Sequence, residues 1–511
     1  MSSLRITFVY NDFEHLGTAY LIASAKRAGH AAAYVHYQQM DQFQFSNHAE
    51  NVDAIVERIA RTRPQVVGFS CITANYQSQL AIARAIKARL PGVKTLFGGI
   101  HVTLTAERVL RKPEVDCVVR GEGEEVLALL LDGCGDTADF WPAAAPAGAT
   151  FKRADGGVVG AFDMAPKIRD LNALPDPDKE EIYAAAPLFA QEYQIMASRG
   201  CAYTCTYCYA GSIPITPGEP RILRREPEDV IAELERAVRR YGAEAVTFHD
   251  DIFTASRPWL ERFLPLYKAR VGLPFCCSTY PASMDPPKAR ALKDAGCIYI
   301  AIGVQSLSEE ICRNVLNRPI DPDRVRDCIN ALNEVGLMNQ VDHILDIPGD
   351  TQANSEKALL FYNETRPSRI QVFQLNYLPK APIIQHALAH DAIDPDEIEA
   401  VEEGTSRANF YALYQTASRD TRATAFLLNW MMLLPKPLVR YLVRSGLYKR
   451  IYLPGPYVNL IIPRVILALI SANDLRGRHH LRRFAARKLG GLFKWAQPLF
   501  ALAARRNQKA T

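Results

Sequence analysis

No stretch of about 20 uninterrupted apolar residues occurs in this sequence of 511 residues, so a simple membrane-spanning helix is not expected. A basic start followed by an apolar segment, typical of secretory signal peptides, is also absent, as are repeats and low-complexity tracts. The eleven cysteines are odd in number and scattered, which does not suit a disulfide framework. We therefore expect a cytoplasmic protein of two or three domains in which neighbouring cysteines bind metal.

Acidic residues are nearly missing from the C-terminal end. Residues 436–511 contain sixteen Lys and Arg but one acid, Asp474, a net charge of +15 against −10 for the rest of the chain. Residues 425–434 and 451–470 are apolar but interrupted by proline and Arg464, and residues 480–506 mix Leu, Phe and Trp with basic residues. This pattern favours peripheral contact with an anionic membrane or, alternatively, a basic helix that covers the protein; nucleic acid is not expected as a partner.

The first part of the chain alternates short apolar strands with helical spacing. Strands are predicted at residues 6–10, 66–69, 95–97 and 117–119, and helices at 17–28, 52–60 and 79–90. This alternation predicts an α/β domain with a doubly wound parallel sheet at residues 1–135, which binds its ligand at the carboxyl ends of the strands.

A second alternating series is predicted at residues 191–385, after a linker at 136–190. Its strands are expected at residues 194–197, 245–248, 275–279, 298–303, 341–345 and 370–375, and its helices at 227–241, 259–270, 287–295, 323–335 and 354–365. These units predict a partial (β/α)6 TIM-like barrel with its chemistry in the loops after the strands. Residues 386–511 are expected to form a helical, basic C-terminal region.

Cys201, Cys205 and Cys208 form a CxxxCxxC motif directly after the first predicted barrel strand. Three thiolates in this spacing can bind three irons of a 4Fe-4S cluster and leave one iron without a protein ligand. A structural zinc site needs four ligands, and no further Cys or His is close in the sequence. Five cysteines farther along the chain lack cluster spacing: Cys276, Cys277, Cys297, Cys312 and Cys328. Most of them are expected to be buried small hydrophobic residues, and a thiol on the substrate side among them is the alternative.

This motif resembles that of the radical S-adenosylmethionine (SAM) superfamily, in which an aromatic residue such as Tyr207 precedes the last cysteine. The resemblance covers about residues 190–380 and implies that the open iron binds SAM, which one-electron reduction cleaves to a 5′-deoxyadenosyl radical. Asp250 and Asp251 resemble the D-D-x-F-T loop of relatives and are implied SAM contacts, although a helix cap explains them equally well.

Two further elements match the family with one exchange each. Gln305 and Ser306 stand where relatives have G-x-E-S, so a polar contact to SAM is implied but the charge of the glutamate is lost. Asp346 occupies the first glycine position of the family element G-x-P-G-E/D-T, and a plain turn explains the following Pro-Gly-Asp equally well.

Residues 1–130 resemble the cobalamin-binding domain that precedes many radical SAM domains. Three motifs match in order, and the resemblance implies cofactor contacts for Ser70, Thr73, Gly98, Gly99, His101, Gly121, Glu122 and Gly123. Glycines admit the bulky ring and its nucleotide tail close to the backbone, and hydroxyls can bind the tail. A flavodoxin-like or nucleotide-binding sheet without a corrinoid is the alternative, because a fold does not fix its ligand.

The usual cobalt-ligating histidine is displaced in this chain. Corrinoid mutases have D-x-H-x-x-G after the first strand, whereas this sequence has Asp12, Glu14 at the ligand position and His15 one residue later. We therefore expect no histidine ligand on the lower cobalt face, as is common in the radical SAM relatives. His101 is the other candidate near the ring, but we expect its loop to pack around the nucleotide tail.

Together these resemblances imply a cobalamin-dependent radical SAM enzyme with a 4Fe-4S cluster, SAM and cobalamin as cofactors. The leading hypothesis is methylation of an unactivated carbon or phosphorus centre of a small-molecule substrate, with an electron donor such as flavodoxin or ferredoxin. The basic tail favours a lipid or terpenoid substrate, as in hopanoid-methylating relatives, taken up at the cytoplasmic membrane face. Two alternatives stay open, a cyclase or rearrangement enzyme with the same cofactors and a non-catalytic corrinoid or redox sensor.

Overall fold

The computed structural model describes residues 3–39, 50–135, 139–214, 218–406, 417–450, 458 and 461–470. The described residues within Met1–Ala243 and Asn376–Arg407 form one compact unit, and those within Glu244–Leu375 and Ala408–Thr511 form a second. The segment 480–506, considered above for a membrane interface, lies outside the described residues. The domain boundaries expected from composition stay a prediction.

A mixed sheet forms the centre of the first unit. Its strands are β1 Arg5–Asn11, β2 Ala31–Tyr37, β3 Val66–Ser70, β4 Lys94–Gly98, β5 Cys117–Val119, β6 Ala149–Lys152 and β7 Val158–Val159. Their order is β2-β1-β3-β4-β5-β6-β7, with β1 to β5 parallel and the last two antiparallel. The predicted doubly wound sheet is confirmed, and the segment interpreted as a linker adds its antiparallel edge.

Helices cover both faces of this sheet. They are α1 Leu16–Arg27, α2 Val52–Arg61, α3 Tyr76–Arg89, α4 Ile100–Leu110 and α5 Glu124–Gly133. Every residue of β3 is buried, as in parallel sheets that have helices on both sides. Val9, Phe69, Phe97 and Val118 lie side by side across four strands, and the two phenyl rings are 4.6 Å apart. This row of residues forms the core beneath the ligand edge.

The strand order reverses at β1, which has β2 on one side and β3 on the other. A crevice opens at such a switch point beyond the carboxyl ends of the strands, and ligands of open α/β sheets bind there. The loops after β1, β3, β4 and β5 are therefore the ones to inspect for a cofactor site.

The remainder of the first unit contains the CxxxCxxC loop. Its elements are α6 Glu180–Ala185, β8 Glu192–Ile195, β9 Ser198–Arg199, α7 Tyr209–Ser212, β10 Leu223–Arg224, α8 Pro227–Tyr241, α14 Ile383–Ala389 and α15 Pro395–Glu402, with short 3-10 turns at Leu171–Ala173 and Pro187–Gln191. The short β9 and β10 pair antiparallel and were not predicted, because two-residue strands have no periodicity to detect.

Five parallel strands form the sheet of the second unit. They are β11 Ala245–Phe248, β12 Phe275–Thr279, β13 Cys297–Gln305, β14 Met338–Leu345 and β15 Arg369–Gln374, and each pairs with the next. The helices between them are α9 Arg257–Arg270, α10 Pro286–Asp294, α11 Glu309–Asn314, α12 Pro322–Glu334 and α13 Gln352–Thr365, with 3-10 turns at Phe253–Ala255 and Pro281–Ser283. With β8, the six predicted barrel strands are all present.

The C-terminal region begins by packing on α13. Its elements are α16 Arg419–Trp430, a 3-10 turn at Met431–Leu433, α17 Lys436–Arg444, a second turn at Leu447–Lys449, and α18 Ile462–Ile470. Gln352 donates to Tyr448 Oη at 2.6 Å, and Lys449 Nζ lies 2.9 Å from Glu356 Oε1. The first part of the basic tail thus covers the second unit. No described helix is long and apolar enough to cross a membrane.

Candidate functional site

The three cysteines of the CxxxCxxC motif lie in the loop between β9 and α7. The side chain of Arg221 fixes this loop, because its Nε donates to the Cys201 carbonyl at 3.2 Å and its Nη2 donates to the Tyr203 carbonyl at 2.8 Å. Gly200 begins the loop with φ +92°, and a Cβ there would collide with the Arg221 carbonyl. A second collision, between a Cβ on Gly211 and the Cys205 carbonyl, shows how tightly the loop turns back on itself.

The chemistry of this loop fits an iron-sulfur cluster. Cys205 is buried, Cys201 and Cys208 are half-buried, and none of the eleven cysteines forms a disulfide. Among the described residues, no three His, Cys, Asp or Glu side chains gather around a single metal ion. A cluster does not need that arrangement, because each thiolate binds a different iron. The donor set therefore suits three irons of one cluster better than one zinc ion.

The five cysteines of the second unit are buried, as expected for most of them. Cys276, Cys277, Cys297, Cys312 and Cys328 are all at most 4% exposed. Burial raises the pKa of Cys312 to about 11 and that of Cys328 to about 12, so these thiols stay protonated at neutral pH. They behave as small hydrophobic residues.

The predicted SAM contacts of the second unit lie at the carboxyl end of its sheet. Asp250 and Asp251 follow β11, and their carbonyl oxygens accept hydrogen bonds from Ser278 Oγ at 2.6 and 3.3 Å. Gln305 ends β13 at a bulge with φ +72°, a left-handed conformation that costs about 1–3 kcal/mol in a non-glycine residue. Ser306 is buried beside it. Strain of this kind concentrates at functional sites, which agrees with a ligand contact for Gln305.

Asp346 adopts φ +60°, the conformation for which the family uses glycine. Its carboxylate is held by Thr421 Oγ1 at 2.6 Å and by Gln374 Nε2 at 2.8 Å. Aspartate tolerates the left-handed region better than most residues, so the turn survives the exchange.

The loops after β3 and β4 are joined through backbone hydrogen bonds. Cys71 N donates to the Gly98 carbonyl at 2.8 Å, and His101 N donates to the Cys71 carbonyl at 3.0 Å. Gly99 has φ +89°, and a Cβ there would lie 2.6 Å from Cys71 N. Gly99 is therefore required by the close approach of the two loops, whereas a Cβ on Gly98 would lie no nearer than 3.7 Å from its neighbours. Ser70 lies buried at the same edge.

His101 and Tyr76 place unsatisfied polar atoms in the interior of this edge. Both are completely buried, their rings are 4.2 Å apart, and His101 Nδ1 lies 3.2 Å from Thr73 Oγ1. His101 Nε2 and Tyr76 Oη have no hydrogen-bond partner among the described residues. Since buried polar atoms are normally paired, these two atoms fit a polar ligand group such as the nucleotide tail of a corrinoid. Tyr76 was not predicted, because an isolated tyrosine at a helix start carries no sequence signal.

Burial lowers the pKa of His101 to about 4, so its imidazole is neutral at physiological pH.

On the solvent side of the same crevice, Phe13 after β1 is 53% exposed and Ile72 after β3 is 41% exposed. Exposed large apolar side chains at a ligand edge suit the face of a macrocycle. The residues present at this edge therefore fit cobalamin.

Neither residue of the displaced cobalt motif is available as a ligand. Glu14 is fully buried with its Oε1 2.7 Å from Lys179 Nζ. His15 caps α1 by accepting from Thr18 N at 3.1 Å, and its ring stacks on Tyr10 at 4.2 Å. These contacts are consistent with the expectation that no histidine of this motif binds cobalt.

Glu122 has protein partners rather than an open carboxylate. Its Oε2 accepts from Ile168 N at 2.6 Å, and its Oε1 lies 3.4 Å from Arg199 Nη1. Gly121 has φ +97° and packs against Ala165, while Gly123 precedes α5. Internal packing explains these three residues, and their predicted contact with the cofactor stays a prediction.

Two family models match the chain. The B12 binding domain matches residues 3–131, and the Radical SAM superfamily matches residues 195–361. The chain belongs to the cobalamin-dependent radical SAM enzymes. Membership in an enzyme family argues against the non-catalytic sensor considered above.

The relatives of this enzyme include both methyltransferases and cyclases. An uncharacterized methyltransferase, PH0819 of Pyrococcus horikoshii, is 25% identical over 66% of this chain and 72% of its own length. The anaerobic magnesium-protoporphyrin IX monomethyl ester cyclase of Cereibacter sphaeroides is 24% identical over 75% of this chain and 63% of its own length.

A solved structure shares the fold of this enzyme. The radical SAM methyltransferase TsrM of Kitasatospora setae, with cobalamin and a [4Fe-4S] cluster bound, matches with a TM-score of 0.62 over 87% of this chain and 100% of that chain, at 15% identity. This similarity confirms the fold expected from the sequence.

Proposed function

We propose that Cys201, Cys205 and Cys208 bind a 4Fe-4S cluster and that the enzyme methylates an unactivated carbon or phosphorus centre of a small-molecule substrate. The observation that carries this proposal is that one compact unit contains both the three-thiol loop and the edge with His101 and Tyr76. When bound, the cluster supplies the electron that cleaves SAM and the corrinoid supplies the methyl group.

The roles of the protein residues follow from their surroundings. The guanidinium of Arg221 holds the thiol loop in shape by donating to two backbone carbonyls of that loop. The thiolates therefore stay oriented while the cluster changes charge. His101 Nε2 and Tyr76 Oη offer polar contacts to the nucleotide tail. Asp250, Gln305 and the aromatic Tyr207 are proposed to orient SAM, with Asp251 and Ser306 as supporting contacts. Ser70 and Thr73 are proposed to offer their hydroxyls to the nucleotide tail of the corrinoid.

A substrate-free experiment tests this proposal. Reconstituted enzyme with cobalamin, SAM and a chemical reductant should form S-adenosylhomocysteine, at most one equivalent per bound corrinoid, together with slow release of 5′-deoxyadenosine. The variants C201A, C205A and C208A should lose the brown colour and the 5′-deoxyadenosine, whereas C328A is the matched control for a buried thiol and should retain both. Absence of both products from the wild-type enzyme would reject the proposal.

Cyclisation or rearrangement is the second candidate, favoured by the similarity to the cyclase. Product mass separates the two reactions once a substrate turns over. A gain of one CH2 unit indicates methyl transfer, and a loss of hydrogen indicates cyclisation.

Replacement of the chemical reductant by reduced flavodoxin or ferredoxin tests the proposed electron donor.

We also propose that the enzyme takes an apolar lipid or terpenoid substrate from the cytoplasmic face of a membrane. Support comes from α17, which exposes 42% of Leu438 and 61% of Tyr441. Arg440 and Arg444, exposed on the same helix, can bind anionic headgroups. Each basic residue near an anionic leaflet contributes about 1 kcal/mol, so this helix and the rest of the tail could hold the enzyme reversibly.

Cosedimentation with anionic liposomes at low and high salt tests this surface. The full chain should sediment at low salt and be released by high salt, and a chain ending near Leu434 should not sediment. The L438D/Y441D variant should bind more weakly, whereas L129D, which changes a leucine on α5 that is 60% exposed, is the matched control. Salt-insensitive recovery of every form in the supernatant would refute membrane contact.

A further inference from the structure

Arg199 connects the corrinoid loop after β5 with the thiol loop. It is the last residue of β9 and stands two positions before Cys201. Its Nη2 lies 2.6 Å from Glu124 Oε1 and its Nη1 lies 3.4 Å from Glu122 Oε1. The guanidinium also lies over the ring of Tyr20, 4.9 Å from the centroid. Two carboxylates and one aromatic face thus hold a side chain that is only 17% exposed.

The other end of the β5 loop is tied to the glycine loop of the corrinoid edge. Arg120 Nε donates to the Thr103 carbonyl at 2.8 Å, and Gly121 N donates to Thr103 Oγ1 at 3.1 Å. Thr103 Oγ1 in turn donates to the Gly99 carbonyl at 3.0 Å. A continuous set of hydrogen bonds therefore runs from Gly99 through residues 120–124 to Arg199.

The thiol loop is equally fixed on its own side. The backbone of Arg199 pairs with Leu223 in the short β9–β10 hairpin, and Arg221 in the same segment holds the Cys201 carbonyl. Charge-assisted hydrogen bonds that are largely shielded from water resist displacement. A shift of the corrinoid loop would therefore either break these bonds or move the first cysteine.

We propose that Arg199 is a positioning residue that keeps the cluster at one fixed distance from the corrinoid, with Glu124 as its main partner. This inference rests on the proposed function insofar as it needs both cofactors bound. Methyl transfer requires SAM at the cluster and the corrinoid to meet in one geometry. A misplacement of about 1 Å can slow such a reaction by about 10²-fold.

Distance measurement by pulsed electron paramagnetic resonance tests this role without a substrate. The two spins are the reduced cluster and cob(II)alamin in the holoenzyme, and iron and cobalamin contents are determined first. The wild-type enzyme should give one narrow distance distribution. R199M should keep both cofactors but give a broader or shifted distribution, and R199K should restore it in part. R84M, which removes the Arg84–Glu114 pair of the same unit, is the matched control and should match the wild type.

A kinetic measurement separates positioning from simple stability. R199M should form S-adenosylhomocysteine up to about 10²-fold more slowly while it still cleaves SAM reductively. If R199M does not fold, the isosteric E124Q variant decides, because it keeps the shape of the contact and removes its charge. A wild-type distance distribution in fully loaded R199M and E124Q would overturn the proposal. Failure of methyl transfer in the wild type would leave these distances unaffected, so the two proposals fail separately.

Discussion

Replacing Lys179 by methionine removes one partner of a completely buried ion pair. Lys179 Nζ lies 2.7 Å from Glu14 Oε1, and neither side chain is exposed. The ammonium also donates to the Gln194 carbonyl at 2.5 Å and lies 3.5 Å from the centroid of the Tyr193 ring. Methionine has a similar length and fills the same space, so the substitution tests the charge rather than the packing.

The expected loss of unfolding free energy is about 3–5 kcal/mol, because Glu14 is left as an uncompensated buried charge. The double variant E14Q/K179M leaves no charge behind and should lose less than the sum of the two single changes. R61M is the matched control, since the Arg61–Glu57 pair is 73% and 62% exposed and such a surface pair contributes only about 0–1 kcal/mol.

The loss of unfolding free energy in K179M, called the deficit below, should depend on pH in a defined direction. Desolvation raises the pKa of Glu14 above 4.5, and Lys179 opposes this shift. Without Lys179 the pKa of Glu14 rises further. A carboxyl with a raised pKa in the folded state favours folding below its unfolded pKa, and this contribution is lost as pH rises through the folded value. The deficit should therefore be smaller at about pH 5 than at about pH 7.5.

Pulse proteolysis in urea measures the unfolding free energy of the unit that contains both residues. It is applied to the wild type, E14Q, K179M, the double variant and R61M at both pH values. A loss of unfolding free energy below about 1 kcal/mol for K179M at both pH values would refute the reasoning, since removal of one partner from a buried ion pair is strongly destabilising.

Three further predictions concern the cofactor loops. Gly99→Ala places a Cβ 2.6 Å from Cys71 N at φ +89° and should weaken cobalamin binding in an absorbance titration, whereas Gly92→Ala, which meets no atom within 4 Å, should not. Gln305→Gly relieves a left-handed φ of +72° and should raise the thermal midpoint by calorimetry while it weakens SAM binding by titration calorimetry. Because the pKa of His101 is lowered to about 4, this residue should cause no inflection in cobalamin retention after gel filtration between about pH 6 and about pH 8. An inflection that is present in the wild type and absent from His101→Gln would contradict this prediction.

The alternation of strands and helices could be predicted because it is a local property of the sequence. Buried parallel strands such as β3 appear as short continuous apolar runs, and helices such as α8 repeat apolar residues every three or four positions. Strands β6 and β7 were missed because strands of two to four residues in a segment rich in Ala, Gly and Pro have no such period.

The amino-acid sequence by itself determined the thiol motif and the glycine loops, because the residues of each lie within a few positions of one another. Only the tertiary structure decided which distant groups meet: Lys179 with Glu14, Tyr76 with His101, and Arg199 with Glu124, which is 75 residues away. It also assigned Glu122 a partner inside the protein. Periodicity and motifs depend on the spacing of residues that are close in the sequence. Long-range pairing depends on which faces of the folded chain come together, and no short stretch of sequence determines this.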